Sequence, residues 1–489
     1  MIHTVETAAR LLELPAATLH AGDVAQVLGR LVPGDGSWLY RWDPNSTAGP
    51  NGGTVLAPAG MPAAGRWLLC HSGTVDARCF GVFGPADDAL DALMADGSVT
   101  RIVFGTDVNF TRRHTFTRGH VTLDFTGHTV TAQGVEHAKH NDPFGALFHF
   151  TGVPGDDVRT FPLAQPMREL YDVFEVPGAG GIPLYSWWQV SVNSLAGREE
   201  KEIDKLLCVT ERIDESHVRV NYKMGWPLDA GRVMTWRRVE PIERVCVQDM
   251  EFRGNEGGEE TGAQPLAFEY AVRCDVRDVR ARHTYWPVLL RRHNTEYVTE
   301  RCSLANPIEV VVGGTGYLTQ QIHCLYGKVR DCTTSNARHL NDFTGSAYCM
   351  VENCHGDGDF HGAYVTHGQF EHDLTYVGNS GLLSFANSGP TWGSSAKRIT
   401  VVRHTGFWGI GFAKVSDLTL QDVAVCRTGA YDGVNTEGYG PCGTFLLNAD
   451  GLQMRGCTAE KLVLTQRSRR AKRPAIVEGG WFRDGIEVV

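Results

Sequence analysis

Between residues 245 and 457 a six-residue phrase recurs nine times, at 245–250, 274–279, 297–302, 327–332, 349–354, 372–377, 399–404, 418–423 and 452–457. Its third place is nearly always apolar, as in Val247, Val276, Val329 and Val351. Its sixth holds Met250, Val279, Cys302, Cys332, Cys354, Val377, His404, Val423 and Cys457. The fifth is usually a turn former, such as Asp249, Asp278, Asp331, Asn353, Asp422 or Gly456. Side chains alternate faces along a strand, so places one and three point one way while two and four, mostly polar, point the other. A turn former at place five bends the chain, and place six then points inward from the next side. A unit of one apolar strand, a turn and loops of variable length matches no helical repeat. It predicts an all-β chain wound as a right-handed parallel β-helix. Its coils stack at about 4.8 Å, the spacing of strands in a sheet, because none can bury its apolar face alone.

A solenoid grows lengthwise, so 489 residues fit one large domain with a small N-terminal module. The 56 glycines suit a turn-rich chain. A net charge of −10, with no long basic run except 467–472, argues against a nucleic-acid partner. No apolar run is long enough to span a membrane, so no membrane partner is expected. The thirteen cysteines are odd in number and form no CxxC. Six of them fall in the inward columns, where cysteine acts as a small buried hydrophobe, and free thiols are expected. The N-terminal MIHTVETAARLLEL lacks a basic start and a long apolar core. No signal peptide is visible, which implies the cytoplasm or a phage particle.

The line AGDVAQVLGRLVPGDGSWLYRWDPNSTAGPNGGTVLAPAG, followed by GRWLLCHSGTVDARCFGVFG, resembles the entry segment of phage tailspike and pectate-lyase-superfamily proteins over roughly residues 20–130. The resemblance implies a pectin-lyase-like solenoid, a homotrimer, and a carbohydrate ligand. Where that family carries an acidic turn this chain has FGPADDAL, yet the helix it introduces survives, with Ala89, Leu90, Leu93 and Met94 on one face. This helix is expected to cover the N-terminal end of the solenoid. The expected organisation is a β module over 1–75, the β-helix over 76–463 with a β-rich insertion at about 153–240, and a tail over 464–489 that folds back over the far end. Within the insertion, AGREEKEIDKLL reads as a charged helical piece.

Because the interior of such a solenoid is packed, chemistry belongs to outward faces and loops. Residues 332–373 concentrate Arg338, His339, Asp342, Asp357, Asp359, His361, His367 and Glu371. Aligning Cys332 with Cys354 stacks His339 on His361 in neighbouring coils. Histidines beside an arginine and carboxylates serve as general acid or base, and an arginine can steady an oxyanion. The stretch also resembles pectate-lyase-superfamily proteins with RHAF in one coil and DTHG.AE in the next. Arg338-His339 matches the first motif; Thr366-His367-Gly368 and Glu371 match the second, with Val365 where the family has Asp. A second candidate is the outward face of the repeated strand, with Tyr326, Lys328, Arg330, Tyr348, Glu352, Glu371, Asp373 and Arg398. Sugar-stacking aromatics are sought at Tyr285, Trp286, Tyr348, Tyr364, Trp392 and Trp408. No cofactor is expected; a metal held by Asp357, Asp359 and His361 is the alternative, although Ca2+ wants oxygen ligands alone and Zn2+ a tighter His/Cys set.

Together these point to cleavage of a polysaccharide, by β-elimination with a histidine base and Arg338 steadying the anion, or by hydrolysis. An intracellular isomerase, epimerase or cyclase of a small molecule, and a non-catalytic receptor-binding spike, remain open alternatives.

Overall fold

The computed structural model describes all residues except 61–62, 82–83, 134, 136–144, 196–198, 259–260, 358–361, 386–395, 432–439 and 466–472. It is a right-handed parallel β-helix with three sheets. The repeated phrase supplies the first, from Thr74–Asp76 and Arg101–Val103 through Lys328–Arg330 and Met350–Glu352 to Ala475–Glu478. The second is built of short strands such as Ser303–Ala305 and Thr333–Ser335. The third includes Leu289–Arg292, Tyr317–Ile322, His339–Thr344 and Tyr364–Thr366, all parallel and in register.

Place five makes the bend between the first two sheets. Asp249, Asp278, Arg301, Asp331, Asn353, Arg403 and Asp422 all have φ between 50° and 54°, the left-handed region that turns the chain within one residue. Place six then forms a file along the axis. The N–H of Cys302 donates to the Cys332 sulfur (3.4 Å), that of Cys332 to the Cys354 sulfur (3.5 Å), and that of Cys354 to Oδ1 of Asn379 (2.8 Å). The three cysteines are buried and free.

The last contact corrects one copy of the phrase. Val351 pairs with Tyr376, so the sixth copy is 374–379 and the file continues with Asn379 where the sequence pattern put Val377. A two-residue slip leaves strand alternation unchanged, and hydropathy alone does not detect it. Asn379 replaces the thiol by accepting from Cys354 and donating to the Val351 carbonyl at 2.9 Å.

A five-stranded sheet between Ile2 and Leu69 precedes the solenoid. The helix Asp87–Ala95 follows and buries Ala89, Leu90, Leu93 and Met94 against the first coils. Arg118 donates to the carbonyls of Leu93 and Met94 at its C-terminal end, meeting acceptors that the helix leaves unpaired. After 463 the chain winds on: Ala475–Glu478, Trp481–Phe482 and Ile486–Val488 each pair in parallel with the preceding coil. The expected fold-back is thus replaced by a further coil.

The insertion leaves after Phe148–Thr151 and forms a six-stranded antiparallel sheet with its own core around Phe174, Trp188 and Trp236. The piece expected to be helical is in part the strand Asp204–Arg212, whose Lys205 to Val209 are all buried. A run buried on both faces has no polar side to give to solvent, so β-pairing with Trp187–Val192 prevails over helical propensity. The insertion sits astride the corner between the third and first sheets, packing on Leu325 and Ala347.

Candidate functional site

On the strand His339–Thr344, Asn341 turns inward, where it accepts a hydrogen bond from Gln321, and Phe343 joins the core. Asp342 between them faces out. It pairs in register with Val365, and His367 follows just past that strand. Nε2 of His367 lies 2.9 Å from Oδ2 of Asp342. The carboxylate that the resembling motif carries at the position of Val365 therefore arrives from the coil below. Glu371 completes the group: its Oε1 accepts the N–H of Gly345 at 3.0 Å and of His367 at 3.2 Å. Its other oxygen is buried and has no hydrogen-bond partner among the described residues.

Burial separates these groups electrostatically. Asp342 and Glu371 are fully buried, whereas the His367 side chain keeps 15% of its surface. Burial pushes Asp342 up, but the His367 charge and hydrogen bond outweigh it and hold the carboxyl below its ordinary range. Burial likewise pushes His367 down, and Asp342 more than reverses this, leaving it raised. Glu371 has no cation in direct contact; burial dominates over the backbone N–H groups and its pKa rises. The cluster thus combines an ionised carboxylate, an imidazolium partly open to solvent and a carboxyl biased towards its acid form. Such a set can deliver a proton to a leaving oxygen.

The remaining expected residues divide. Arg338 is half-buried and donates to the carbonyls of Val310 and Val311 at 2.7 and 2.6 Å, bracing that loop. His339 is buried, its Nδ1 2.5 Å from the Gly362 carbonyl and its ring 4.4 Å from that of Tyr317. Asp359, His361 and Trp392 lie outside the described residues. Tyr364 is a core residue whose hydroxyl donates to the Cys354 carbonyl at 2.6 Å, and Trp408 is buried in a satellite cluster with Leu382 and Ile410. Neither offers a face to a sugar, because both fall on tightly packed third-sheet strands. Tyr285 and Trp286 pack edge to face and are each 7% exposed, so they too lie under loops and form no open platform. Of the five described aromatics, Tyr348 lines a groove. Among the described residues no group of three or more His, Cys, Asp or Glu is arranged to hold a metal.

One feature was not singled out in the sequence, and a second was legible there only as a strand face. Four places before the repeated phrase, Tyr270, His293 and His323 occupy a left-handed corner and stack at 5.1 and 5.4 Å. The insertion answers them with Asp204, whose Oδ1 is 2.9 Å from Nε2 of His293, and with the buried Lys205, which burial lowers to about 8. The stack ends at Gly345, whose N–H holds Glu371; a Cβ there would meet Nδ1 of His323 at 2.6 Å. Reading the columns further upstream would have exposed this file, though not its partner. The second feature is a groove of about 550 Å³ on the first-sheet face, lined by Tyr326, Lys328, Tyr348, Met350, Asp373 and Arg398 among others. It contains most of the second sequence candidate, while Glu371, two residues from Asp373, belongs to the buried cluster.

No protein-family model matches the chain, and no curated protein matches it in sequence. Solved structures do. The tailspike gp61 of Pseudomonas phage phi297 is similar with a TM-score of 0.57 and 11% identity, over 85% of this chain and 74% of the other. The gp54 tailspike of Acinetobacter baumannii bacteriophage AP22, in complex with A. baumannii capsular saccharide, gives 0.53 and 10%, over 83% and 67%. The tailspike protein gp49 of Pseudomonas phage LKA1 gives 0.53 and 13%, over 83% and 71%. Identities this low carry the fold and assign no residue. With its coil-by-coil register, the chain is a right-handed parallel β-helix whose fold is similar to that of these phage tailspikes.

Proposed function

We propose that this chain cleaves a capsule-type polysaccharide, with His367 as the group that meets the substrate, Asp342 fixing its orientation and charge, and Glu371 holding its backbone. The observation that carries this reading is the cross-coil Asp342–His367 pair at 2.9 Å beside a carboxyl of raised pKa. The tailspike solved with a capsular saccharide supplies the substrate class by analogy of fold. His367, held as an imidazolium, acts as the acid that protonates the leaving oxygen. This role suits hydrolysis, and it also suits elimination if another group takes the proton; Arg338, committed to two loop carbonyls, gives the anion little support. A phage particle and a homotrimer are the setting that this reading implies.

A saccharide-binding spike without turnover is the second reading, favoured by the complete burial of Asp342 and Glu371. Incubation of the full chain with a panel of capsular polysaccharides tests both. New reducing ends indicate hydrolysis, and the absorbance of an unsaturated uronate indicates elimination. Either signal should vanish in His367→Ala while binding remains. Binding with no product from any polymer sinks the catalytic reading.

A further inference from the structure

The corner between the third and first sheets carries six left-handed residues in successive coils: Arg273, Glu296, Tyr326, Tyr348, Asp373 and Arg398. They associate in pairs. Arg273 binds Glu296 at 2.7 Å, the Tyr326 and Tyr348 rings stack at 5.4 Å and 18°, and Arg398 binds Asp373 at 2.8 Å. The insertion clamps the middle pair, since the Tyr326 hydroxyl donates to the Asn221 carbonyl and that of Tyr348 to the Lys223 carbonyl at 3.1 Å. The ring edges and Met350 leave an apolar strip along the groove, with Thr375 and Thr400 beyond it.

Charge at this groove is unbalanced in one place. Asp373 is matched by Arg398 and also by His372, whose Nδ1 is 2.6 Å away. Glu169, reaching over from the insertion, is matched by Lys397 and Arg398. Lys328 is exposed on the strand Lys328–Arg330, next to the tyrosine strip, and no carboxylate among the described residues pairs with it. A volume of about 550 Å³ lies within the range of small-ligand sites.

We propose that this first-sheet groove is a binding subsite for an acidic sugar unit, whose ring lies along the tyrosine–methionine strip and whose carboxylate is taken by Lys328. The inference rests on the polysaccharide reading above and names the substrate class. The groove and the Asp342–His367 cluster flank the same corner on either side of the insertion.

The test uses full-length protein carrying His367→Ala, so that nothing is cleaved. Capsular polysaccharides containing uronic acids are titrated beside the same polymers after carboxyl reduction, which keeps the sugars and removes the charge. At least one acidic polymer should bind. Carboxyl reduction or Lys328→Ala should each weaken it about tenfold, the scale of one charge-assisted hydrogen bond, while Lys328→Arg retains most of the affinity. The affinity should also fall with added salt, and less steeply in Lys328→Ala. Unchanged binding in Lys328→Ala, equal binding of the reduced polymer, or binding confined to neutral polymers would overturn the subsite. Cleavage by the wild type with no effect of Lys328 removes the subsite and leaves the catalytic reading standing. Lys328-dependent binding without any product does the reverse.

Discussion

The two faces flanking the insertion treat charge in opposite ways. On the third-sheet side, Asp342, Glu371 and Lys205 are taken out of water and Asp204 is half-buried, and each depends on a few neighbours for its charge state. On the first-sheet side the charged groups pair at an open groove, and Lys328 is left to solvent. A buried charge is costly without a partner and strongly coupled to one, which suits a group that must hold an unusual protonation state. A surface charge is weakly coupled and cheap to present, which suits recognition. On the reading proposed above, one corner of the solenoid separates reaction from binding within two residues, Glu371 and Asp373.

The sharpest way to break this contrast is Asp342→Asn. It should lower turnover at least about a hundredfold, as expected for loss of acid–base function. It should also cost about 3–5 kcal/mol of stability, because His367 loses its buried counter-charge. Turnover assays and denaturant unfolding measure the two effects, and a Lys328→Ala control should leave stability unchanged.

The same pair predicts a pH dependence. Asp342 is lowered from 3.8, so its stabilising effect is present above that value and lost as pH falls through its folded pKa. His367 is raised from 6.5, so its contribution is complete below 6.5 and lost as pH rises through its folded pKa. The stability gap between wild type and Asp342→Asn should therefore be widest at about pH 4–6.5 and shrink on both sides. A gap that keeps growing above neutrality would contradict this assignment.

Gly345→Ala should come next, at about 2 kcal/mol. Its φ of 58° and the contact its Cβ would make with His323 oppose any side chain there. Because the same N–H holds Glu371, activity should fall with it, whereas binding to an acidic polymer should persist. The smallest effect on stability is expected from Tyr348→Phe, about 1 kcal/mol for one hydrogen bond to the insertion. Thermal unfolding checks both, and a larger loss for Tyr348→Phe would place the groove among the buried, strongly coupled parts of the molecule.

Much of the fold was legible because each coil repeats the same physical task. Val247, Val276 and Val329 recur where a strand must face the core, and Asp249, Asp278 and Asp331 where the chain must turn. The pattern erred at 372–377, where a slip of two preserves alternation, and after 463, where Val477 and Phe482 continue the stack under a looser motif. It also misjudged 204–207, the start of the strand Asp204–Arg212, whose charged neighbours suggested a helix. The site was half legible. His367, Asp342 and Glu371 fell in the expected stretch, but that Asp342 stands in for the carboxylate absent at Val365 depends on strand register between coils. The aromatics were the least legible, since whether Tyr364 and Trp408 face a groove or the core is decided by neighbouring coils.

The sequence alone determined that this chain winds into stacked coils, which residues face inward, and which stretch gathers its histidines and carboxylates. Those properties are periodic and local, so they can be read from the spacing of apolar and turn-forming residues. Only the tertiary structure decided that Asp342 meets His367, that Asp204 meets His293, and that the insertion divides a buried cluster from an open groove. Each of these joins residues 25 to 89 positions apart, and the distances follow from coil register and docking, which no local pattern encodes.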